Sequence, residues 1–334
     1  MSAHVESIRL GFGYKEVAAS KGRQRGPRLR ILLVGGFGFI GRHLVRNLGE
    51  SHSVVVFSDQ EGVQKAAEFQ AKQAVITEIG DIRDETIVRE VMLRRRPESV
   101  VHLAALTGIK RCNENPALAF SVNVLGTYNV IMGCVACGSK LVFVSSREVY
   151  GETRSDRSRE DDPPAPNNVY GVTKMLAEGL VTWAASMYDL DYTVLRLTNV
   201  YGPGGDQYNV QAMITKALSD AKIEISGGTQ VMNLVYVEDV AEAVRVCLTD
   251  PRSSKQTFNV GSDDTMTVDE IVSSTATCLG TPIEVSRVPM RSGETLAFRP
   301  DLGKLSTTLG CRCPTTFAVG LQKTVKWYRE RAGV

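Results

Sequence analysis

The 334-residue sequence lacks any continuous apolar run of the ~18 residues that a membrane-spanning helix needs, and its N-terminus carries no apolar signal stretch. It also lacks an excess of charge of one sign, since its formal net charge is only +2. Residues 1–30 hold a local net charge of +5, which leaves −3 for the remaining 304 residues. A nearly neutral body offers no basic surface for nucleic acid. These absences predict a soluble, unexported, cytoplasmic protein without a nucleic-acid partner.

Histidine is scarce, with four residues, and among the seven cysteines Cys134 and Cys137 stand one helical turn apart while Cys311 and Cys313 flank an arginine. A metal site usually needs four ligands at tight paired spacing. We therefore expect no metal and interpret the cysteines as small core residues. With 43% hydrophobic and 23% charged residues, the chain can bury a sizeable core. Residues 1–28 show no sustained apolar period, and we interpret them as a basic extension. Contact with a partner subunit, with RNA or with a targeting receptor stays open for it.

From Arg30 onwards, short apolar runs alternate with segments of helical spacing. This alternation predicts α/β architecture, with right-handed βαβ units around a doubly wound parallel sheet over residues 29–200. After Tyr201 the pattern becomes irregular, so we expect residues 201–334 to form mainly a smaller substrate-binding lobe, interleaved with the first domain. The predicted strands are 31–34, 54–57, 74–79, 99–103, 141–145 and 192–197, and the longer predicted helices are 39–48, 85–96, 116–137 and 168–188.

Three glycines, Gly35, Gly38 and Gly41, recur at intervals of three residues between the first predicted strand and the first predicted helix. The first can make the tight turn, the second lets backbone N–H groups approach a pyrophosphate, and the third lets the helix lie close to the sheet. Because the motif stands at the first crossing from strand to helix, it predicts a dinucleotide site.

The end of the second strand bears on the choice of cofactor. Asp59 favours NAD if its carboxylate reaches the adenosine ribose, whereas Ser58 leaves room for the 2′-phosphate of NADP if Asp59 is only a turn residue. We favour NAD. Asp81, after the third strand, is placed to meet the adenine, and its alternative interpretation is a helix N-cap.

Tyr170 and Lys174 stand four residues apart, on one face of a predicted helix. A phenol with a pKa of about 10 is a poor base at neutral pH, but a lysine cation beside it stabilises the phenolate. The phenolate can then accept a hydroxyl proton while a hydride leaves the same carbon. Ser146, after the fifth strand, would hydrogen-bond that hydroxyl. An ordinary helical pair is the alternative for Tyr170 and Lys174 taken alone.

Taken together, the motifs from residue 30 to about 330 resemble the extended short-chain dehydrogenase/reductase family, in its nucleotide-sugar epimerase/dehydratase branch. In chain order they are Gly35-x-x-Gly38-x-x-Gly41, Asp81-Ile82, His102-Leu103-Ala104-Ala105, Asn123, Ser145-Ser146-x-x-Val149-Tyr150-Gly151, Tyr170-x-x-x-Lys174 and Arg196-x-x-Asn199-x-Tyr201-Gly202-Pro203.

The resemblance implies a Rossmann domain that retains NAD(P), a catalytic triad of Ser146, Tyr170 and Lys174, and a lobe that holds a nucleoside-diphosphate sugar. It also implies a homodimer, through a four-helix bundle of helices 116–137 and 168–188. The cofactor contacts expected by resemblance, beside Tyr170 and Lys174, are Gly35, Gly38, Phe39, Ile40, Gly41, Asp81, Ile82, Leu103, Ala104, Ala105 and Asn123.

Oxidation at sugar C4 opens several reactions, and the residues after Ser146 bear on the choice between them. Glu148 matches the C5 base of the family's dehydratases, and related decarboxylases also have a glutamate there. Arg147 stands where the dehydratases place an acid, and arginine cannot donate the proton that helps hydroxide leave. A solvated Arg147 that is paired with Glu148 is the structural alternative. We also assign Arg147 to the substrate pocket.

The predicted lobe keeps part of the family's diphosphate site. Asn199 and Arg291 match residues that bind the diphosphate in the family, whereas Met232 replaces a phosphate-binding arginine and Gln211 replaces a proline near the nucleoside. Either another cation compensates, or the substrate is not a standard nucleotide sugar.

Our first interpretation is an NAD-dependent nucleotide-sugar epimerase that works through a 4-keto intermediate with retained cofactor. A 4,6-dehydratase or decarboxylase that uses Glu148 is the second, and an NAD(P)-dependent ketoreductase is the third. A non-catalytic NAD(P)-binding regulator belongs to a different class, and an intact triad of Ser146, Tyr170 and Lys174 argues against it.

Overall fold

A computed structural model describes residues 28–73, 75–153, 156–205, 209–219 and 222–333. The predicted basic extension lies outside these described residues up to position 27. In chain order the strands are β1 (Arg30–Val34), β2 (Ser53–Ser58), β3 (Ile76–Ile79), β4 (Ser99–His102), β5 (Lys140–Ser146), β6 (Tyr192–Leu197), β7 (Asn199–Tyr201), β8 (Ile223–Ser226), β9 (Val231–Tyr236), β10 (Gln256–Val260), β11 (Thr265–Thr267) and β12 (Val285–Val288).

The helices alternate with these strands through the first two thirds of the described chain. They are α1 (Phe39–Gly49), α2 (Gln60–Lys65), α3 (Ala67–Lys72), α4 (Glu85–Arg95), α5 (Ile109–Glu114), α6 (Pro116–Phe120), α7 (Thr127–Cys137), α8 (Val169–Tyr188), α9 (Asn209–Leu218), α10 (Val237–Thr249), α11 (Val268–Leu279), α12 (Gly303–Leu309) and α13 (Phe317–Ala332).

Seven parallel strands form the central sheet in the order β10-β6-β5-β4-β1-β2-β3. Successive residues of β1 enter opposite cores, with Leu33 in one and Leu32 in the other, as expected for a strand that is buried on both faces. Helices α1, α10 and α12 cover one face, and α4, α7 and α8 cover the other. The predicted doubly wound α/β sheet is confirmed.

The predicted elements up to residue 200 agree closely with this sheet, and the strand 192–197 is confirmed to the residue. The third strand begins at Ile76 rather than at residue 74, which lies outside the described residues. The expectation of irregular structure after Tyr201 is wrong in one respect, because α10 and α13 are long and regular and β10 returns to the central sheet beside β6.

The predicted helix 116–137 exists, but its middle, Ser121–Gly126, is π-helical. Among the described helices, Pro116–Cys137 is long and apolar enough to cross a membrane by length and composition. Half of its most apolar window is buried, and its C-terminal part packs between α4 and α8. We conclude that it is a core helix of the sheet's second face.

The remaining strands form a smaller layer beside the carboxyl end of β6. Strand β9 pairs in parallel with β7 and antiparallel with β11, while β8 and β12 form a separate parallel pair. These strands share a third core with α9, α11 and α13. This arrangement places a compact lobe next to the edge of the sheet where the sequence predicted a site.

Five of the seven cysteines are buried, and Cys137 and Cys278 are partly exposed, so the prediction of core cysteines is confirmed for the five. Burial raises the pKa of the Cys112 thiol to about 11 and that of Cys247 to about 12, so these two are unreactive at neutral pH. The described residues contain no cluster of three or more side chains that could bind a metal ion.

Candidate functional site

The glycine loop after β1 has a backbone that only glycine can adopt. Gly35 has φ +80°, and a Cβ there would lie 2.6 Å from the Ala104 backbone nitrogen. A Cβ at Gly41 would lie 2.4 Å from the Gly36 carbonyl oxygen, so this glycine lets α1 pack against the loop. Gly38 is the N-cap of α1, where no side chain of the described residues caps the helix and no acidic residue stands in the first turn. The first-turn N–H groups are therefore suited to an anion such as a diphosphate.

The residues after β4 lie beside this loop, as the resemblance implies. The N–H groups of Leu103 and Ala104 both donate to the Val34 carbonyl, at 2.8 and 3.0 Å, and Ala105 continues the same segment. Phe39 is buried at the start of α1, and Ile40 is partly buried. The structure thus brings the predicted cofactor segments of β1 and β4 together at one sheet edge.

Asn123 is buried in the π-helical segment, and its side chain hydrogen-bonds the backbone of Leu106, in the segment that follows β4. Its Oδ1 accepts from the Leu106 N–H at 2.7 Å, and its Nδ2 donates to the Leu106 carbonyl and to Thr173 Oγ1. The amide therefore connects the segment after β4 with α8. Its contact with the cofactor stays a prediction.

At the end of β2, Asp59 is the N-cap of α2, and its Oδ1 accepts from the Gly62 N–H at 2.8 Å. The preceding Ser58 is buried. The structure thus shows a turn-forming function for Asp59, and its contact with a ribose stays a prediction.

After β3, the alternative interpretation of Asp81 as an N-cap is wrong, because Asp84 caps α4. Asp81 instead pairs with Arg83, whose guanidinium lowers the pKa of the Asp81 carboxyl below its ordinary value. Ile82 is buried beside this pair, and a Cβ at Gly126 would lie 2.6 Å from its side chain. The contact of Asp81 and Ile82 with the adenine of the cofactor stays a prediction.

The proposed catalytic residues lie at the ends of β5 and α8. Ser146 is the last residue of β5 and is buried, and its Oγ accepts from the Glu148 N–H at 3.2 Å. Tyr170 and Lys174 stand one turn apart in the first two turns of α8, with Tyr170 partly buried and Lys174 buried. The start of α8 packs against the end of β5, since the Lys174 Nζ donates to the Val144 carbonyl and a Cβ at Gly171 would lie 2.3 Å from the Glu148 carbonyl oxygen.

Lys174 occupies a dry environment. Its Nζ donates to the Val144 carbonyl at 2.7 Å and lies 4.7 Å from the centre of the Phe143 ring. Burial lowers the pKa of Lys174 to about 8, and the carboxylate of Glu178, one turn further on, opposes this effect. The cation is therefore largely kept at neutral pH, where it can stabilise a phenolate.

Arg147 and Glu148 form a buried ion pair directly after Ser146. The Arg147 Nη2 lies 2.7 Å from Glu148 Oε1, and the two residues are only 8% and 6% exposed. The interpretation of Arg147 as a solvated side chain is therefore wrong, although its pairing with Glu148 is confirmed. The other oxygen of Glu148 accepts from Asn168 Nδ2 at 2.9 Å, so both carboxylate oxygens have a partner.

The predicted substrate residues lie on the lobe. Asn199 donates from Nδ2 to the Asn233 carbonyl at 3.0 Å, which joins β7 to β9. Arg291 is half exposed, with its guanidinium 3.7 Å from Glu294 Oε1. Met232 lies opposite Met266 in the β9–β11 pair and supplies no charge.

Gln211 shows an unusual environment in α9. It is fully buried, and neither atom of its amide has a hydrogen-bond partner among the described residues. A Cβ at Gly205 would lie 2.7 Å from its Nε2 and 3.2 Å from the Phe39 ring, so Gln211 stands between the glycine-loop helix and the lobe.

Comparison with known proteins assigns the chain to a family. Residues 31–261 match the NAD dependent epimerase/dehydratase family. The chain belongs to this family. A UDP-glucose 4-epimerase of Mycolicibacterium smegmatis is 31% identical over 317 residues, which cover 91% of this chain and 100% of that protein. A dTDP-glucose 4,6-dehydratase of Shigella flexneri is 26% identical over 335 residues, which cover 90% and 92% of the two chains.

The fold comparison agrees with this assignment. The crystal structure of a UDP-glucose 4-epimerase from Thermus thermophilus in complex with NAD has a TM-score of 0.82 and 31% identity, and the match covers 90% of this chain and 99% of that one. The chain is thus an enzyme of the NAD-dependent epimerase/dehydratase family with a Rossmann-type fold. These relatives catalyse different reactions, epimerisation and dehydration, at 31% and 26% identity to this chain. Their similarity therefore shows the family and not which of the two reactions this chain catalyses.

The glycine loop after β1 and the N-terminus of α1 fit NAD, the cofactor of this family. The glycine loop leaves no room for a Cβ at Gly35, and within the described part of the chain no side chain caps the N-terminus of α1, which suits the diphosphate of NAD. When bound, NAD supplies the capacity to accept a hydride from a substrate carbon and to return it.

The sequence interpretation missed two parts of the site. One is Asn168, whose side chain caps α8 and contacts Glu148. An asparagine two residues before Tyr170, at the start of a helical pattern, is a recognisable N-cap signal. The other is the buried pair of Arg196 and Glu178, with Nη2 2.7 Å from Oε2, for which their separation of 18 residues gave no signal.

Proposed function

We propose that this enzyme is an NAD-dependent nucleotide-sugar epimerase that acts through a 4-keto intermediate and keeps its cofactor throughout the cycle. The observation that carries this proposal is the buried pair of Arg147 and Glu148, next to a complete set of proton-transfer residues. The similarity of this chain to two UDP-glucose 4-epimerases, each at 31% identity, supports the same conclusion.

In this proposal, Tyr170 accepts the proton of the sugar's C4 hydroxyl, and Ser146 hydrogen-bonds the same oxygen. The Lys174 cation stabilises the phenolate of Tyr170, because its own pKa stays near 8 despite burial. The C4 hydrogen would leave as a hydride to bound NAD and would come back to the opposite face of the 4-keto carbon, while Tyr170 returns the proton to the C4 oxygen. A 4-epimer leaves, and no atom is gained or lost.

The buried pair of Arg147 and Glu148 argues against dehydration. A dehydratase needs a base for the C5 proton and an acid for the departing hydroxide. Glu148 already has one oxygen on Arg147 and the other on Asn168, and a guanidinium group is not a proton donor for a departing hydroxide. The pair is therefore better suited to hold the strand end beside Ser146 than to move protons.

We propose a nucleoside-diphosphate sugar as the substrate, bound by the lobe of residues 201–334. Arg291 and Asn199 are the proposed contacts of the diphosphate, and Arg147 is the proposed contact of the sugar. The exposed guanidinium of Arg291 is available for an anion, since its distance of 3.7 Å from Glu294 makes only a loose ion pair.

We also propose a homodimer with a second copy of this chain. Large apolar side chains are exposed on the two helical segments that the family uses for a four-helix bundle, and Leu125 is 49% exposed. A shallow apolar groove runs along these helices. Its lining residues are Phe120, Ser121, Val124, Leu125, Tyr128 and Leu180.

Two substitutions test the proposed reaction. Tyr170→Phe should abolish turnover of a nucleotide sugar but leave NAD bound, whereas Tyr188→Phe, at the exposed end of the same helix, should behave like wild type. Glu148→Gln should retain epimerisation at a substantial rate. If the wild-type enzyme instead formed a product lighter by water or carbon dioxide, and Glu148→Gln abolished that reaction, the enzyme would be a dehydratase or a decarboxylase.

A further inference from the structure

The side-chain amide of Asn168 connects three segments of the molecule. Its Oδ1 accepts from the Gly171 N–H at 2.8 Å and caps α8. Its Nδ2 lies 2.9 Å from Glu148 Oε2, 3.0 Å from the Gly293 carbonyl and 3.1 Å from Asn167 Oδ1. The residue is only 6% exposed. A cap needs only an oxygen, which serine supplies equally well, whereas the bridge to both Glu148 and Gly293 needs the two N–H donors of an amide, which extends one bond further than a serine hydroxyl.

The lobe lies close to the start of α8 at Gly293, where there is little room for a side chain. Gly293 has φ +83°, and a Cβ there would lie 3.0 Å from the Asn168 Cβ and 3.2 Å from the Asn167 carbonyl oxygen. The loop of residues 289–294, which we call the Arg291 loop, also contains the proposed diphosphate-binding cation. Its backbone is held on the lobe by a hydrogen bond from the Arg291 N–H to Ser226 Oγ at 3.0 Å.

Tyr170 follows Asn168 by two residues, in the first turn of the helix that Asn168 caps. The same amide thus caps the start of this helix and donates to the Gly293 carbonyl of the Arg291 loop. We propose that Asn168 is a positioning residue that couples the seating of the Arg291 loop on bound substrate to the placement of Tyr170. The inference rests on the proposed function, in which Tyr170 moves the proton and Arg291 meets the diphosphate.

Asn168→Ser separates the bridge from the cap, because serine keeps the cap oxygen and removes the amide donor. We expect the unfolding midpoint to stay close to wild type while kcat falls about 10–100-fold, since misplacement by about 1 Å costs up to that much. The KM for the nucleotide sugar should rise by a smaller factor. Thr267→Ala, which removes the cap of the remote helix α11, is the control and should leave kcat unchanged. A kcat for Asn168→Ser within twofold of wild type would overturn the proposal.

Gly293→Ala tests the other side of the contact. The matched control is Gly280→Ala, which has a similar φ of +67° but no atom within 4 Å of its Cβ. Both variants place an alanine at a positive φ, but only Gly293→Ala disturbs the contact with Asn168, so only this variant should lower kcat beyond any loss of folded protein. In the double variant with Asn168→Ser, kcat should fall little below that of the worse single variant, because both changes break one connection. Multiplication of the two losses would show that the residues act independently.

Hydrogen exchange on the full-length protein with bound NAD tests the coupling without turnover. Adding UDP should slow amide exchange in residues 169–174 of wild type, and this protection should be lost in Asn168→Ser. No slowing in wild type, or equal slowing in the variant, would contradict the proposal. If wild type converts no nucleotide sugar, the proposed function fails, while the exchange experiment still decides the role of Asn168.

Discussion

Replacing Lys174 by methionine is expected to stabilise the protein while it abolishes catalysis. Burial lowers the pKa of Lys174 from 10.5 to about 8, so the folded state holds its proton less tightly than the unfolded state does. Below pH 8 this difference corresponds to about 3 kcal/mol of destabilisation. Between pH 8 and 10.5 the penalty disappears, because the folded protein loses the proton first. Methionine has a similar shape and no charge, so we expect a net gain of about 1–3 kcal/mol at pH 7.

The assay is urea unfolding of wild type and Lys174→Met after removal of the cofactor, at pH 7 and again near pH 10. The gain should be present at pH 7 and should shrink as the pH rises through 8, since the wild-type lysine is then neutral. Lys326→Met is the control, because the Lys326 side chain is 77% exposed, and its free energy of unfolding should change by less than about 0.5 kcal/mol. A loss of stability in Lys174→Met at pH 7, or a gain that does not depend on pH, would refute this reasoning.

Three further predictions follow from close contacts. Gly35→Ala should prevent retention of NAD, because its Cβ would lie 2.6 Å from the Ala104 nitrogen at a φ of +80°, and absorbance of the purified protein measures the loss. Arg196→Met should lower the free energy of unfolding by about 3–5 kcal/mol, since it leaves the buried Glu178 carboxylate without its partner, as urea unfolding would show. Leu125→Glu should convert the proposed dimer to a monomer in sedimentation analysis, because it places a charge in the apolar groove; an unchanged mass would exclude this interface.

Local signals were sufficient for the first 200 residues. The apolar runs of β1 and β6 are flanked by turn residues and helical patterns, so that local pattern predicts where each strand begins and ends. The glycine loop could be predicted for the same reason, since Gly35 needs its positive φ immediately after β1.

Long-range contacts account for what the sequence did not show. Strand β10 joins β6 from a position about 60 residues away, and the Gly293 carbonyl meets Asn168 from 125 residues away. The alternative interpretation of Arg147 as a solvated side chain is wrong, although charged residues are usually exposed. Its burial depends on Glu148 and on the ring of Phe298, which lies 5.3 Å from the guanidinium carbon and comes from the far end of the chain.

Product analysis by mass spectrometry and NMR, after incubation with UDP-, GDP-, CDP- and dTDP-sugars without added NAD, tests the central claim most directly. Our account predicts conversion of at least one sugar to its 4-epimer, with no change in mass and no need for free cofactor. A product lighter by 18 mass units would contradict it, since Glu148 would then act as a C5 base despite its contacts with Arg147 and Asn168.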